Sequence, residues 1–326
     1  MKKIISILLV SVMVLTLFAF TSCGKEEATL KLGLGVSTSV SATDATEDKA
    51  GQGQATVTVA AVLVDNDGKI VKAFIDCADS KVGYTADGKA TTTESFKTKY
   101  ELGANYNMVA YGGSAKEWYE QADAFCALIV GKTAAEVKAL VVNGDKGTEE
   151  VLNAGCTITI VDFANAVEKA IANATDSKAT ANDTLKLGVN TSQTPADATE
   201  DKPGSNKVET YVFAAAVNAE GKVVAASSDC VEVSFTFDIT GKSTFDATKE
   251  VLSKKEKGDN YGMKAYGGSA KEWYEQAAAF DAACIGKTAS EIAGLMGADY
   301  KGNADLQTAG CTIYVSGFVA AASKIG

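Results

Sequence analysis

Apolar and small polar residues alternate through 55–64, Ala-Thr-Val-Thr-Val-Ala-Ala-Val-Leu-Val. An Asp65-Asn66-Asp67-Gly68 turn then leads into a returning run at 69–76. A period of two on either side of Asp-Gly predicts a β-hairpin. The second half of the chain has the same pattern: alternation at 208–217, a turn at Asn218-Ala219-Glu220-Gly221, and a return at 222–229. Strand-like openings precede the hairpins, Thr29-Leu30-Lys31-Leu32-Gly33 and Thr184-Leu185-Lys186-Leu187-Gly188, each running into a polar loop at 44–49 or 197–202. A third strand is expected at 81–85, and its counterpart at 231–238. Further on the period lengthens to 3.6: Trp118, Ala122, Phe125 and Ile129 fall on one helical face. Ser114 to Glu117 and Ser269 to Glu272 have capping-box spacing at the helix entrance. Gly131 and Gly286 follow as C′ glycines. Second boxes, Thr133 to Glu136 and Thr288 to Glu291, open short helices. A short strand is expected at 156–160 and a helix at 163–171, with counterparts at 311–315 and 318–325.

The stretch at 110–122, Ala-Tyr-Gly-Gly-Ser-Ala-Lys-Glu-Trp-Tyr-Glu-Gln-Ala, returns letter for letter at 265–277 and holds both tryptophans, Trp118 and Trp273. The fold class expected is α+β: two tandem copies of one module, each an antiparallel sheet with helices packed on it. The division reads 1–23 signal, 24–28 tether, 29–171 module one, 172–183 an Ala/Ser/Thr/Asp-rich linker, and 184–326 module two.

The 326 residues carry a net charge of −10, with no histidine; all 31 basic residues are lysine. An acidic chain is a poor partner for nucleic acid. Without histidine or arginine, imidazole-ligated metals, the Ser-His-Asp triad and the arginine fork for phosphate are excluded. Any phosphate would be held by lysine, hydroxyls or backbone N–H. The Asp65-Asn66-Asp67 cluster is too short for an EF-hand loop and is read as turn chemistry. Gly131-Lys132-Thr133 follows a helix and lacks the upstream glycine of a phosphate loop. Glu117 and Glu120 share a helix face, but the cap assignment for Glu117 argues against a catalytic carboxylate pair. No catalytic residue is assigned, and the chain reads as a binding or electron-carrying protein rather than an enzyme.

Lys2 and Lys3, an apolar run at 4–20 and Thr21-Ser22-Cys23 resemble a bacterial lipoprotein signal, which implies cleavage before Cys23 and lipid on its sulfur. The resemblance places the protein on the extracytoplasmic face of the cell membrane, anchored by Cys23. In such a compartment Cys77–Cys156 and Cys230–Cys311 are candidate disulfides; the alternative is that each cysteine is a small buried hydrophobe.

The closing pattern Gly155-Cys156-Thr157-Ile158-Thr159, followed by Phe163-Ala164-Asn165-Ala166-Val167, resembles the end of the FMN-binding domain family, flavin-carrying exported domains of bacterial redox complexes. This chain has Cys156 and Cys311 where the family has alanine, and Tyr314 where the second hydroxyl stands. The resemblance implies FMN as cofactor, Thr157 and Thr312 as flavin-bearing positions, and extracellular electron transfer with a redox partner. Beside it, Tyr111, Gly112, Gly113, Ser114, Lys116 and Tyr119 combine glycines, a hydroxyl, a charge and aromatic surface at a helix entrance, as do Tyr266, Gly267, Gly268, Ser269, Lys271 and Tyr274. These are the candidate cofactor-binding residues. The alternative from another class is a noncatalytic envelope binding or scaffold lipoprotein, whose two identical faces grip a glycan, peptide or protein partner. Trp118, on the apolar face, is expected to fill the core.

Overall fold

The computed structural model describes residues 28–326. The expected signal and lipidation at Cys23 lie outside the described residues. The first half contains three long strands: β1 (Leu30–Thr43), β2 (Gly51–Val64) and β3 (Ile70–Tyr84). Helices α1 (Trp118–Ile129) and α2 (Val161–Ala172) follow. After β4 (Thr175–Ala179), the second half has β5 (Thr184–Ala196), β6 (Gly204–Val217), β7 (Val223–Phe237), α3 (Trp273–Cys284) and α4 (Ser316–Ala322), in the same order. Both large sheets are antiparallel, with orders β3-β2-β1-β4 and β5-β6-β7. The fold is α+β, and helices pack on the sheets.

Period-two alternation decides where the core sits. Along β2, Val57, Val59, Ala61 and Leu63 point to one face, while Ala60, Val62 and Val64 point to the other. The first set meets Leu185, Leu187, Val189, Val212 and Ala214 of the second half in a single cluster. The two sheets are therefore stacked face to face around a shared core. The opposite face of each sheet is covered by its own helices. Trp118, Phe125, Ile129, Phe163 and Val167 cover the first, and Trp273, Phe280 and Phe318 cover the second. The order of layers is helices, sheet, sheet, helices. A sheet buried on both faces explains why 60–64 and 212–217 are nearly continuous apolar runs.

The outer face of β1 shows how close the helix lies. A Cβ on Gly33 would run into the Ala170 carbonyl, and one on Gly35 into the Ala166 carbonyl; Gly188 meets Ala321 in the same way. Glycine lets α2 and α4 lie directly on the strand. Across the junction between halves, Lys169 pairs with Glu256 at 2.5 Å, and Lys324 with Glu101 at 2.7 Å. Tyr84 stacks on Phe237 at 4.5 Å.

Several expectations are corrected. The returning strand at 69–76 and the third strand at 81–85 are one strand, β3, because pairing with β2 continues without a break as far as Gly51 opposite Tyr84. Its counterpart β7 is equally continuous. Residues 156–160 form no strand; the backbone N–H groups of Thr157 and Ile158 go to a glutamine side chain instead. The stretch 172–183 contains β4, which pairs with β1. The cysteine disulfides are not formed: Cys77, Cys156, Cys230 and Cys311 are free and buried, as are Cys126 and Cys284. Burial pushes the Cys77, Cys156 and Cys311 thiols up to about 11.

Candidate functional site

The repeated block forms a loop and a helix start, but the cap is not where the spacing placed it. Helix α1 begins at Trp118 with Glu117 as its N-cap residue, and Glu120 accepts the Glu117 backbone N–H at 2.8 Å. The Glu117 carboxylate turns back to accept the N–H groups of Met108 (2.9 Å) and Val109 (3.2 Å). Glu272 does the same for Met263 and Lys264. Both glutamates are buried, and they tie the loop before the helix to the helix itself. Ser114 lies outside the helix, its hydroxyl bonded to the Lys116 carbonyl at 2.8 Å. Ser269 repeats this contact with Lys271. The boxes at Thr133 to Glu136 and Thr288 to Glu291 are present as expected.

Gln121, which the sequence reading passed over, joins two of the candidate regions. It is 1% exposed. Its carbonyl oxygen accepts from the Thr157 N–H (2.8 Å), the Thr157 hydroxyl (3.0 Å) and the Ile158 N–H (3.2 Å). Its amide nitrogen donates to the Ser114 hydroxyl and the Lys116 carbonyl, both at 3.0 Å. Gln276 binds Thr312, Ser269 and Lys271 in the same way. Thr157 and Ser114 thus stand on opposite sides of one buried amide. The only signal in the sequence was that Gln121 and Gln276 lie within the invariant block.

The remaining candidates divide. Tyr111 is 87% exposed and Tyr266 93% exposed, each at the tip of its loop. Gly113 and Gly268 adopt φ of 67° and 65°, which the turn into the helix requires. Gly112 and Gly267 pack against the Met108 and Met263 carbonyls, with no room for a Cβ. The Lys116 and Lys271 ammonium groups lie over Gly155 and Gly310, and Lys271 donates to the Ala309 carbonyl at 3.1 Å. Tyr119 packs edge-on to Tyr100 at 6.0 Å, and the Tyr274 hydroxyl donates to Asp259 at 3.2 Å. Trp118 and Trp273 are 4% and 3% exposed, as expected of core residues.

FMN would need a phosphate corner and a slot for the ring. Thr157, an exposed residue whose hydroxyl donates to Gln121, lies two residues from the glycine under Lys116 and offers the first. For the second, the candidates form no slot: Tyr111 stands out in solvent, and Tyr119 is packed on Tyr100. Among the four main hollows, only Tyr274 of the candidate residues reaches a wall.

Those hollows lie elsewhere. The largest, about 760 Å³, opens at the junction of the halves between β1, β4, β7 and α3. Asp281 and Asp229 stand on its wall, and burial raises the Asp229 carboxyl well above the usual carboxylate range. Two smaller hollows occupy corresponding places. One, of about 320 Å³, is lined by Thr56, Thr58, Lys99, Tyr106 and Trp118; the other, of about 420 Å³, by Glu209, Tyr211, Lys254, Tyr261 and Trp273. Among the described residues no cluster of histidine, cysteine or acidic residues could hold a metal ion, and no helix is long and apolar enough to cross a membrane. No family model, curated protein or solved structure matches the chain.

Proposed function

We propose that the protein is a noncatalytic lipoprotein, held outside the bacterial cell membrane through Cys23, that grips a neutral glycan of the envelope with Tyr111 and Tyr266. The observation that carries this reading is the pair of almost fully exposed tyrosines on braced loops. Gln121 and Glu117 fix one loop from beneath, Gln276 and Glu272 the other. A ring on a fixed loop has little freedom to lose on binding, and its flat face suits a sugar ring. The isolated rings favour a glycan over a protein partner, which would need a broad, continuous patch. Two equal loops on one body give avidity on a polymer whose repeats both can reach.

The test is retention of the purified protein on envelope polysaccharide. Tyr111→Ala and Tyr266→Ala should each weaken retention severalfold, and the double variant far more. Retention unchanged in the double variant overturns the reading. The flavin reading keeps one observation in its favour, the lysine lying against the glycine of each Gly-Cys-Thr turn. A flavin absorption spectrum in protein matured with its transfer machinery, lost in a Thr157→Ala, Thr312→Ala double variant, would put electron transfer in place of glycan binding.

A further inference from the structure

The two corresponding hollows differ in how their lysine ammonium is balanced. Each holds a lysine ammonium among aromatic rings. Lys99 Nζ lies 5.3 Å from the Tyr106 centroid and 5.8 Å from Trp118; Lys254 Nζ lies 5.3 Å from Tyr261 and 5.8 Å from Trp273. In the second half the ammonium is satisfied from within. Glu209 and Glu232, opposite each other on β6 and β7, each place a carboxylate oxygen 3.0 Å from Lys254 Nζ, and Tyr211 adds a third ring at 5.8 Å. Lys254 is 4% exposed.

In the first half the matching cross-strand pair is Thr56 and Asp79. Thr56 is too short to reach and carries no charge. Asp79 is turned aside, accepting from Gln54 at 2.6 Å and from Thr56 at 3.1 Å. Thr58 replaces Tyr211. Lys99 therefore has aromatic neighbours and a hydrogen bond to Tyr106 but no ion pair among the described residues, and it faces an open space of about 320 Å³.

We propose that the first hollow is a binding site for a small monocarboxylate, whose carboxylate takes beside Lys99 the place that Glu209 and Glu232 take beside Lys254. The Thr56 hydroxyl already donates to Asp79 and the Thr58 hydroxyl to Cys77 Sγ, so the Lys99 ammonium carries the recognition. Trp118 and Phe163 give an apolar wall for the rest of the molecule, which fits a hollow of this size. Asp162, which accepts from the Ser37 hydroxyl at 2.8 Å, also lines the hollow and opposes a second negative charge. That favours a monocarboxylate over a phosphate dianion. A carboxylate in this setting is bound by a charge-assisted hydrogen bond, stronger than a neutral one. In the second hollow Glu209 and Glu232 already pair with Lys254, and their charge disfavours an anionic ligand there.

The experiment uses the chain labelled with 5-fluorotryptophan, whose two fluorine resonances report Trp118 and Trp273 separately. Benzoate, inorganic phosphate and benzylamine are titrated in turn. Benzoate should move the Trp118 resonance saturably and leave Trp273 in place, while phosphate and benzylamine move neither. Lys99→Met should weaken benzoate at least about tenfold. Thr56→Glu, which copies the second half's own carboxylate, should abolish the shift; an unchanged Trp273 resonance reports that each variant is folded. No saturable shift with benzoate, an equal shift with phosphate or benzylamine, or full binding by Thr56→Glu overturns the proposal.

Discussion

Gln121 uses both ends of its amide, joining the Ser114 loop to the Thr157 turn. Removing it leaves the Thr157 and Ile158 N–H groups without their acceptor and frees the Ser114 loop. Gln121→Ala should cost about 1–3 kcal/mol in urea unfolding. It should also speed hydrogen exchange at the Thr157 amide while leaving Thr312 protected. At Asp76, burial outweighs the bonds from the Cys77 and Tyr100 N–H groups and raises the carboxyl to about 6. The folded state therefore holds this proton more tightly than the unfolded chain, whose value lies near 3.8. Between those values the folded state binds more protons, so stability should rise as pH falls from about 7 toward 4. Asp76→Asn should flatten that part of the urea midpoint profile; a profile that is flat in the parent chain would contradict the assignment. The six cysteines of the described residues should resist alkylation in the native protein and react once it is unfolded, since each is buried and free. At this scale the sequence was least informative. The Gln121–Thr157 contact spans 36 positions, and no local pattern marks it.

The long strands were legible because a period of two survives even where both faces are buried. Their ends were less so. The alternation breaks near Asp76 and Cys77, where the chain reads as two strands, yet the ladder to β2 runs on. The helix start was misplaced for a related reason. Ser114 to Glu117 and Glu117 to Glu120 have the same spacing, and only the loop packed beneath decides between them. The glycines of β1 had no evident role in a strand until α2 was seen to lie on them. Gly35→Ala should destabilise the protein by about 1–3 kcal/mol, because the added methyl meets helix backbone that cannot move aside alone. Gly68→Ala, at an open turn, carries only the strain of its φ of 73° and should cost less. A reversed order in urea unfolding would mean that α2 does not sit on β1 as described.

The candidate block is divided by the fold of the whole molecule. Its tryptophan and glutamine go into the outer core, and its first tyrosine goes to the surface. Its lysine reaches the turn that carries Thr157. The repeat made the block easy to find, but only the stacking of the sheets shows that the two halves share a core rather than hanging as separate domains. The inner faces of β2 and β6, with Leu32 and Leu187 beside them, belong to one cluster, so neither half can expose its inner face cheaply. The most direct test is equilibrium urea unfolding followed through each tryptophan in turn, using Trp273→Phe to isolate Trp118 and Trp118→Phe to isolate Trp273. A shared core predicts that, within each variant, its remaining tryptophan and the far-ultraviolet circular dichroism of the whole chain report one coincident transition. Two separated transitions, with either half melting while the other keeps its native signal, would contradict it.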